Sequence, residues 1–123
     1  MFNDLRFEPG VFFQDMLLYN KLLPNLKYNI PIVHKPLYNY NQNITSSVHV
    51  RKLKRELNYF NALKSRYELD WITEEEKVYC LKYLFIGFYY FYQVKDFNFE
   101  IVNNCRNYIK QVLGYMFAKA KNF

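Results

Sequence analysis

Hydrophobic residues recur at steps of three and four through the second half of the chain, which is the spacing of helices with one buried face. The pattern predicts three longer helices, over about residues 47–69, 73–94 and 96–119. The predicted buried stripes of the first and last are Leu53, Leu57, Phe60, Leu63 and Tyr67, and Val102, Cys105, Ile109, Val112 and Met116. Because the connections are short, we expect neighbouring helices to pack antiparallel.

The middle helix is apolar almost all round, so we expect it to be the most buried of the three. Its predicted stripe is Val78, Leu81, Phe85, Phe88 and Tyr92. Thr73 and Glu76 have the spacing of a capping box and predict where this helix begins.

The first half of the chain is less regular. Glu8-Pro9-Gly10 predicts a turn, and a shorter helix over about residues 11–23 should end at Pro24. Residues 30–33 and 36–40 predict short extended pieces, which their prolines limit to edge strands or extended loop. The expected fold is mainly α: a shorter helix and a short extended or β segment, followed by a bundle of three longer helices.

Composition narrows the function only a little. The chain has 123 residues, enough for one domain with a modest core, and a net charge of +6. A basic balance suits nucleic acid or an anionic membrane, although lysines on solvated helix faces are the commoner explanation. Cys80 and Cys105 have no metal-ligand spacing and predict buried free thiols in a reducing compartment.

Targeting signals are not evident in the sequence. The polar residues 1–6 do not resemble a signal peptide. The apolar stretch 78–94 is short for a membrane span and is interrupted by Lys82, which favours a buried helix. We therefore expect a cytoplasmic protein, either free or at the inner face of the membrane.

The segment 7–47 carries the most informative motifs. In order, it contains Phe7-Glu8-Pro9-Gly10, Val11-Phe12-Phe13, Gln14-Asp15, Lys35-Pro36-Leu37-Tyr38-Asn39-Tyr40 and then Ser46. This ordered set resembles the end of the GT-A domain of bacterial family 2 glycosyltransferases, which build capsule and lipopolysaccharide sugars. The resemblance implies that residues 1–46 are the acceptor-side remnant of that domain, and that 47–123 are a C-terminal helical region.

The resemblance implies that Asp15 is the catalytic base of an inverting sugar transfer. A carboxylate within reach of the acceptor hydroxyl can take its proton, and a first-turn Asp is held charged by the helix dipole. Phe12 and Tyr19 are expected to flank it as an aromatic platform. The other expected substrate-binding residues are His34, Tyr40 and Ser46. An isolated Asp15 would more simply stabilise a helix start, and an isolated His34 would be structural.

Two positions depart from the family pattern, and one part of it is missing. Gln14 replaces the usual Glu, and Asn41 stands where many relatives have Arg. No DxD motif, βαβ pattern or Gly-rich loop is found, so we expect no cofactor and no metal site in this chain. The resemblance implies that Mg²⁺ or Mn²⁺ is held in the full-length enzyme. The 123-residue chain alone is therefore expected to be inactive.

The partners expected from the resemblance are a missing N-terminal nucleotide-sugar-binding half and a glycan or lipid-linked acceptor. A homo-oligomer and peripheral membrane contact are further possibilities, the latter through Arg51, Lys52, Lys54 and Arg55. The same basic run could bind nucleic acid, which we regard as the weaker hypothesis. The alternative to the transferase is a small, stand-alone, basic helical interaction protein of the phage or mobile-element type.

Overall fold

A computed structural model describes residues 5–25, 30–41 and 51–121. The described residues form four helices: α1 (Gln14–Leu22), α2 (Leu53–Tyr67), α3 (Glu74–Tyr90) and α4 (Phe99–Ala120). Short 3-10 turns follow α1 at Leu23–Asn25 and α3 at Phe91–Gln93. These ranges contain no β-strand. The predicted mainly α fold is confirmed.

Polar side chains at the starts of the three longer helices fix their boundaries. The Thr73 hydroxyl accepts the Glu76 amide at 3.2 Å, as the capping box predicts, and the Asn98 side chain accepts the Ile101 amide at 3.1 Å. The start of α2 at Leu53 is later than predicted. Its amide donates to the Asp96 carboxylate at 2.9 Å, a contact from the α3–α4 connection that the α2 sequence does not reveal.

The core lies where α2, the end of α3 and α4 meet. Its buried residues are Leu53, Phe60, Leu63, Leu84, Phe91, Val94, Val102, Cys105 and Ile109. Phe60 is 1% exposed, and its ring lies 5.8 Å from Phe91 and 6.2 Å from Tyr108 between centroids. The predicted stripes of α2 and α4 are thus largely confirmed, although Met116 near the end of α4 is partly exposed.

Helix α3 is where the prediction of burial is wrong. Its buried residues are Cys80, Leu81, Leu84 and Gly87, whereas the predicted stripe residues Val78, Phe85 and Tyr92 are 59%, 43% and 58% exposed. A helix that is apolar all round gives no periodic signal for choosing a face. Packing against α2 selects the buried face of α3. The Tyr59 ring of α2 lies against Gly87, where an added Cβ would be 3.6 Å from the ring.

Residues 30–41, called here the proline segment, have no regular secondary structure. All of their side chains are exposed, including Ile32 at 76%, Leu37 at 76% and Tyr38 at 82%. Of the two predicted forms, edge strand and extended loop, the structure has the loop.

Both cysteines are free and buried, as predicted. Burial raises the pKa of the Cys80 thiol and raises that of Cys105 to about 11, in spite of the nearby Lys64 ammonium. Since the thiolate is the reactive form, both thiols are poor nucleophiles at neutral pH.

Candidate functional site

The loop before α1 is held in an uncommon backbone conformation. Gly10 has φ 72°, which glycine adopts without penalty, but Phe13 has φ 59°. A left-handed aromatic residue costs on the order of 1–3 kcal/mol and persists only where neighbouring contacts impose it. Here the Phe12 amide donates to the Asn58 side-chain oxygen at 2.9 Å, and the Phe13 ring lies 5.0 Å from Tyr59. Helix α2 therefore fixes the position at which α1 begins.

Asp15 lies in the first turn of α1 and is exposed. It lines an open cleft of about 480 Å³, together with Phe7, Gly10, Val11, Phe12, Phe13, Gln14 and Lys54. A general base for a sugar hydroxyl needs a carboxylate that the attacking oxygen can reach, and the open cleft leaves Asp15 accessible. Aromatic side chains, one carboxylate and one ammonium group in an open cleft form an arrangement that a sugar ring could occupy.

A divalent cation does not fit this cleft. Asp15 contributes the single carboxylate of the lining, and Lys54 places a positive charge on the same wall. Hard cations such as Mg²⁺ prefer several oxygen ligands and would be repelled by the ammonium. In the described ranges, no group of three or more His, Cys, Asp or Glu side chains is placed to hold a metal ion.

The predicted aromatic platform is only partly assembled around Asp15. Phe12 lines the cleft, but Tyr19 lies one turn further along α1 and does not. The Tyr19 ring is about half exposed and lies 5.9 Å from the Arg66 guanidinium carbon. In the same turn, the buried side-chain amide of Asn20 donates to the Ala62 carbonyl oxygen at 3.3 Å. This hydrogen bond is a second attachment of α1 to α2.

Of the remaining predicted substrate-binding residues, those that the structure describes do not line the cleft. His34 and Tyr40 are on the exposed proline segment and are not among the residues that line it. Ser46 lies outside the described residues. The structure therefore brings together Asp15 and Phe12 of the predicted set, with Lys54 added from the predicted basic run.

Two of the four basic residues before and within α2 make ion pairs within the molecule. Arg51 and Arg55 both pair with the Glu56 carboxylate, the former at 3.2 Å. Arg51 also lies 4.0 Å above the Tyr90 ring, and Arg55 faces Phe13 at 5.3 Å. Lys52 and Lys54 remain exposed. Arg51 and Arg55 are therefore engaged within the molecule, although the Arg51 side chain is still 47% exposed, and the anionic-surface site stays a prediction.

Glu56 is a residue near the site that the sequence analysis did not single out. Its charge suggested the solvated face of α2, but it is 1% exposed. Its spacing contained the correct signal, because it follows Leu53 by three positions and precedes Phe60 by four. Asn58 gave no such signal, since its role depends on a loop far away in sequence.

No protein family matches the chain, and no curated protein or solved structure is significantly similar to it. No helix in the described part of the chain is long and apolar enough to cross a membrane. The family resemblance therefore rests on the motifs of residues 7–46, and the function is inferred from them and from the geometry around Asp15.

Proposed function

We propose that the chain is the acceptor-side, carboxyl-terminal part of a family 2, GT-A type, inverting glycosyltransferase that builds cell-surface polysaccharide. The observation that carries the proposal is the position of Asp15. It lies in the first turn of a helix and borders an open, partly aromatic cleft. The strained Phe13 that precedes it is held by contacts with α2, as expected of a loop shaped for a function.

In this proposal Asp15 acts as the general base. The acceptor sugar hydroxyl lies against the carboxylate, and its oxygen attacks the anomeric carbon of the nucleotide sugar. The new glycosidic bond forms as the bond to the diphosphate breaks, and the hydroxyl proton passes to Asp15. Phe12 offers an apolar face to the acceptor ring, and Lys54 can donate a hydrogen bond to one of its other hydroxyls.

Stabilisation of the leaving diphosphate is assigned to the nucleotide-sugar-binding half of the enzyme. A metal ion held there supplies this stabilisation when it is bound. The exposed apolar side chains of the proline segment offer that half a surface to pack on. Isolated exposed apolar residues are common on proteins, but a contiguous run of them usually marks a contact site.

The first test is the intact mass of the gene product in its native cell, detected with an antibody to α4. A product well above 15.2 kDa is expected, with sugar transfer to a glycan or lipid-linked acceptor. A product of 15.2 kDa would overturn the proposal.

The second test is Asp15→Asn in the native gene, with sugar transfer measured in cell extracts. Loss of a general base should lower the rate by roughly 10²–10⁴-fold. Asp70→Asn is the matched control, since Asp70 is also an exposed aspartate but lies between α2 and α3. Equal rates for the Asp15 variant and the control would exclude Asp15 as the base. The 123-residue chain alone should give no turnover with pooled nucleotide sugars.

A second candidate function is a stand-alone helical interaction protein without catalysis. The observation that favours it is the outer face of α3 and of the 3-10 turn that follows it, where Val78, Tyr79, Tyr89 and Tyr92 are each more than half exposed. Exposed aromatic clusters are typical of contact surfaces. The intact mass separates the two functions, because this candidate requires a 15.2 kDa product.

A further inference from the structure

The outer face of α3 carries a regular row of exposed residues. Val78, Lys82, Phe85, Tyr89 and Tyr92 follow one another at alternating steps of four and three, and all are exposed. This is the 3.5-residue repeat by which one helix packs along another. We call these five residues the α3 seam. The seam extends into the 3-10 turn that follows α3 at Phe91–Gln93, where Tyr92 packs against the Phe88 and Phe97 rings.

The seam is wide enough to be an interface. Tyr79 and Ile86 lie beside it and are 58% and 37% exposed. With aromatic side chains contributing roughly 150–250 Å² each when fully buried, the face offers on the order of 600 Å² of apolar surface. A stable protein–protein contact buries about 800 Å² per partner. The apolar area of this face, added to the area of the charged residues at the two ends of α3, approaches that size.

The charges at the two ends of α3 are opposite. Glu74 and Glu75 are exposed in its first turn, while exposed Lys95, with Asp96 beside it, follows its last turn. Arg51, whose guanidinium covers the Tyr90 ring, lies at the same end as Lys95 and is about half exposed. A parallel pair of such helices would bring the acidic ends together, whereas an antiparallel pair places each acidic end near a basic end.

We propose that a second copy of this chain docks on the α3 seam, with the two α3 helices antiparallel about a two-fold axis. In the register that we propose, Val78 lies opposite Tyr89 of the second copy, and Lys82 lies opposite its Phe85. The Lys82 ammonium, the one charge within the seam, then faces an aromatic ring and makes a cation–π contact. Glu75 lies opposite Tyr92, whose hydroxyl can donate to the carboxylate.

This arrangement explains why a charge sits in the middle of an apolar row. A lysine at a single seam position specifies register and partner number at some expense of stability. An anionic membrane fits the same face less well, because the exposed glutamates at one end of α3 would be repelled by lipid phosphates. The proposal goes beyond sugar transfer and does not depend on it.

The oligomeric state of the 123-residue chain tests the proposal. Sedimentation equilibrium from low to high micromolar concentration should show reversible association to twice the 15.2 kDa chain mass. Phe85→Glu should weaken dimerisation by roughly 30-fold or more, the size of a hot-spot loss. Tyr89→Glu, at a residue 62% exposed, should do the same with less risk to folding.

The proline segment provides the control, because it is a second exposed apolar region of the same chain. Tyr38→Glu, at a residue 82% exposed, should leave the dimer unchanged. A chain that stays monomeric at all concentrations would overturn the proposal. So would a dimer that Tyr38→Glu dissociates while Phe85→Glu does not, or a monomer that binds anionic vesicles through Phe85.

Disulfide crosslinking tests the register. A mixture of the Val78→Cys and Tyr89→Cys variants should oxidise to a crosslinked heterodimer, because the two positions face each other. Each variant alone should crosslink poorly, and buried Cys80 and Cys105 should contribute little. Efficient crosslinking of each variant with itself would indicate a parallel pair and overturn the antiparallel arrangement.

Discussion

The helical core and the proline segment contain similar apolar residues, but these are buried in the core and exposed in the proline segment. Around Phe60 the aromatic and aliphatic side chains lie on helical faces and pack together, and Phe60 itself is 1% exposed. In the proline segment Ile32, Leu37 and Tyr38 are equally apolar but more than three-quarters exposed. The difference lies in the backbone. Pro31 and Pro36 prevent the regular hydrogen bonding that would set the apolar side chains on one face.

The largest expected effect distinguishes these two regions directly. Phe60→Ala removes a ring packed against Phe91 and Tyr108 in the core and should lower the free energy of unfolding by about 3–5 kcal/mol. Tyr38→Ala removes an aromatic ring from the proline segment and should change it by at most about 0.5 kcal/mol. Urea unfolding followed by circular dichroism measures both. Equal losses would mean that the proline segment is packed as tightly as the core.

The next effect concerns the ion pairs that buried Glu56 makes with Arg51 and Arg55. Glu56→Gln leaves Arg55, whose side chain is 14% exposed, without its counter-charge. Hydrogen bonds to charged groups contribute about 1.5–3 kcal/mol, so we expect a loss of about 2 kcal/mol in the same unfolding experiment. Glu100→Gln is the control, since Glu100 is exposed in the first turn of α4. Should the two variants be equally stable, the buried Arg–Glu cluster would contribute nothing net.

An effect of similar size is expected only at high pH, from the buried thiol of Cys105. Its pKa is raised from 9.0 to about 11, because burial disfavours the thiolate. The folded state therefore holds this proton more tightly than the unfolded state. Its contribution is fully present below pH 9 and is lost as the pH rises through about 11, by on the order of 2 kcal/mol.

Cys105→Ala isolates this contribution from the tyrosines that titrate in the same range. The pKa of Tyr108 is also raised, by burial and by the Glu68 carboxylate that accepts a hydrogen bond from its hydroxyl. Some loss of stability at high pH should therefore remain in the variant. The measurement is the slope of unfolding free energy against pH, and the variant should have the shallower slope. An unchanged slope would mean that the thiol ionises equally in both states.

The same contrast explains how much of the fold the sequence predicts. The stripes of α2 and α4 are amphipathic, so their spacing alone identifies most of the buried residues. Thr73 marks the start of α3 because its partner, Glu76, is only three residues away. The start of α2 was missed because its partner, Asp96, comes from a distant connection. The burial of α3 was missed because apolar residues surround that helix and packing alone selects a face.

The candidate site shows the same division between local and distant information. Asp15 was expected in the first turn of a helix and lies there, although α1 begins at Gln14 and not near Val11 as predicted. The cleft itself depends on Asn58 and Tyr59 of α2, which hold Phe12 and Phe13 in place. No short-range pattern links those pairs. Sequence reasoning could therefore propose the base, but not the surface that orients it.

The smallest expected effect is also the one that links stability to the proposed function. Leu37→Ser, in the proline segment, should leave the unfolding free energy of the 123-residue chain within about 0.5 kcal/mol of the parent, because Leu37 is 76% exposed. If a nucleotide-sugar-binding half packs on this segment, the same substitution in the native gene should lower sugar transfer, since it removes apolar contact between the halves. Asp70→Asn, at an exposed position between α2 and α3, is the control and should leave transfer unchanged. Transfer that is equal for both variants would mean that the exposed apolar residues of the segment do not form that contact.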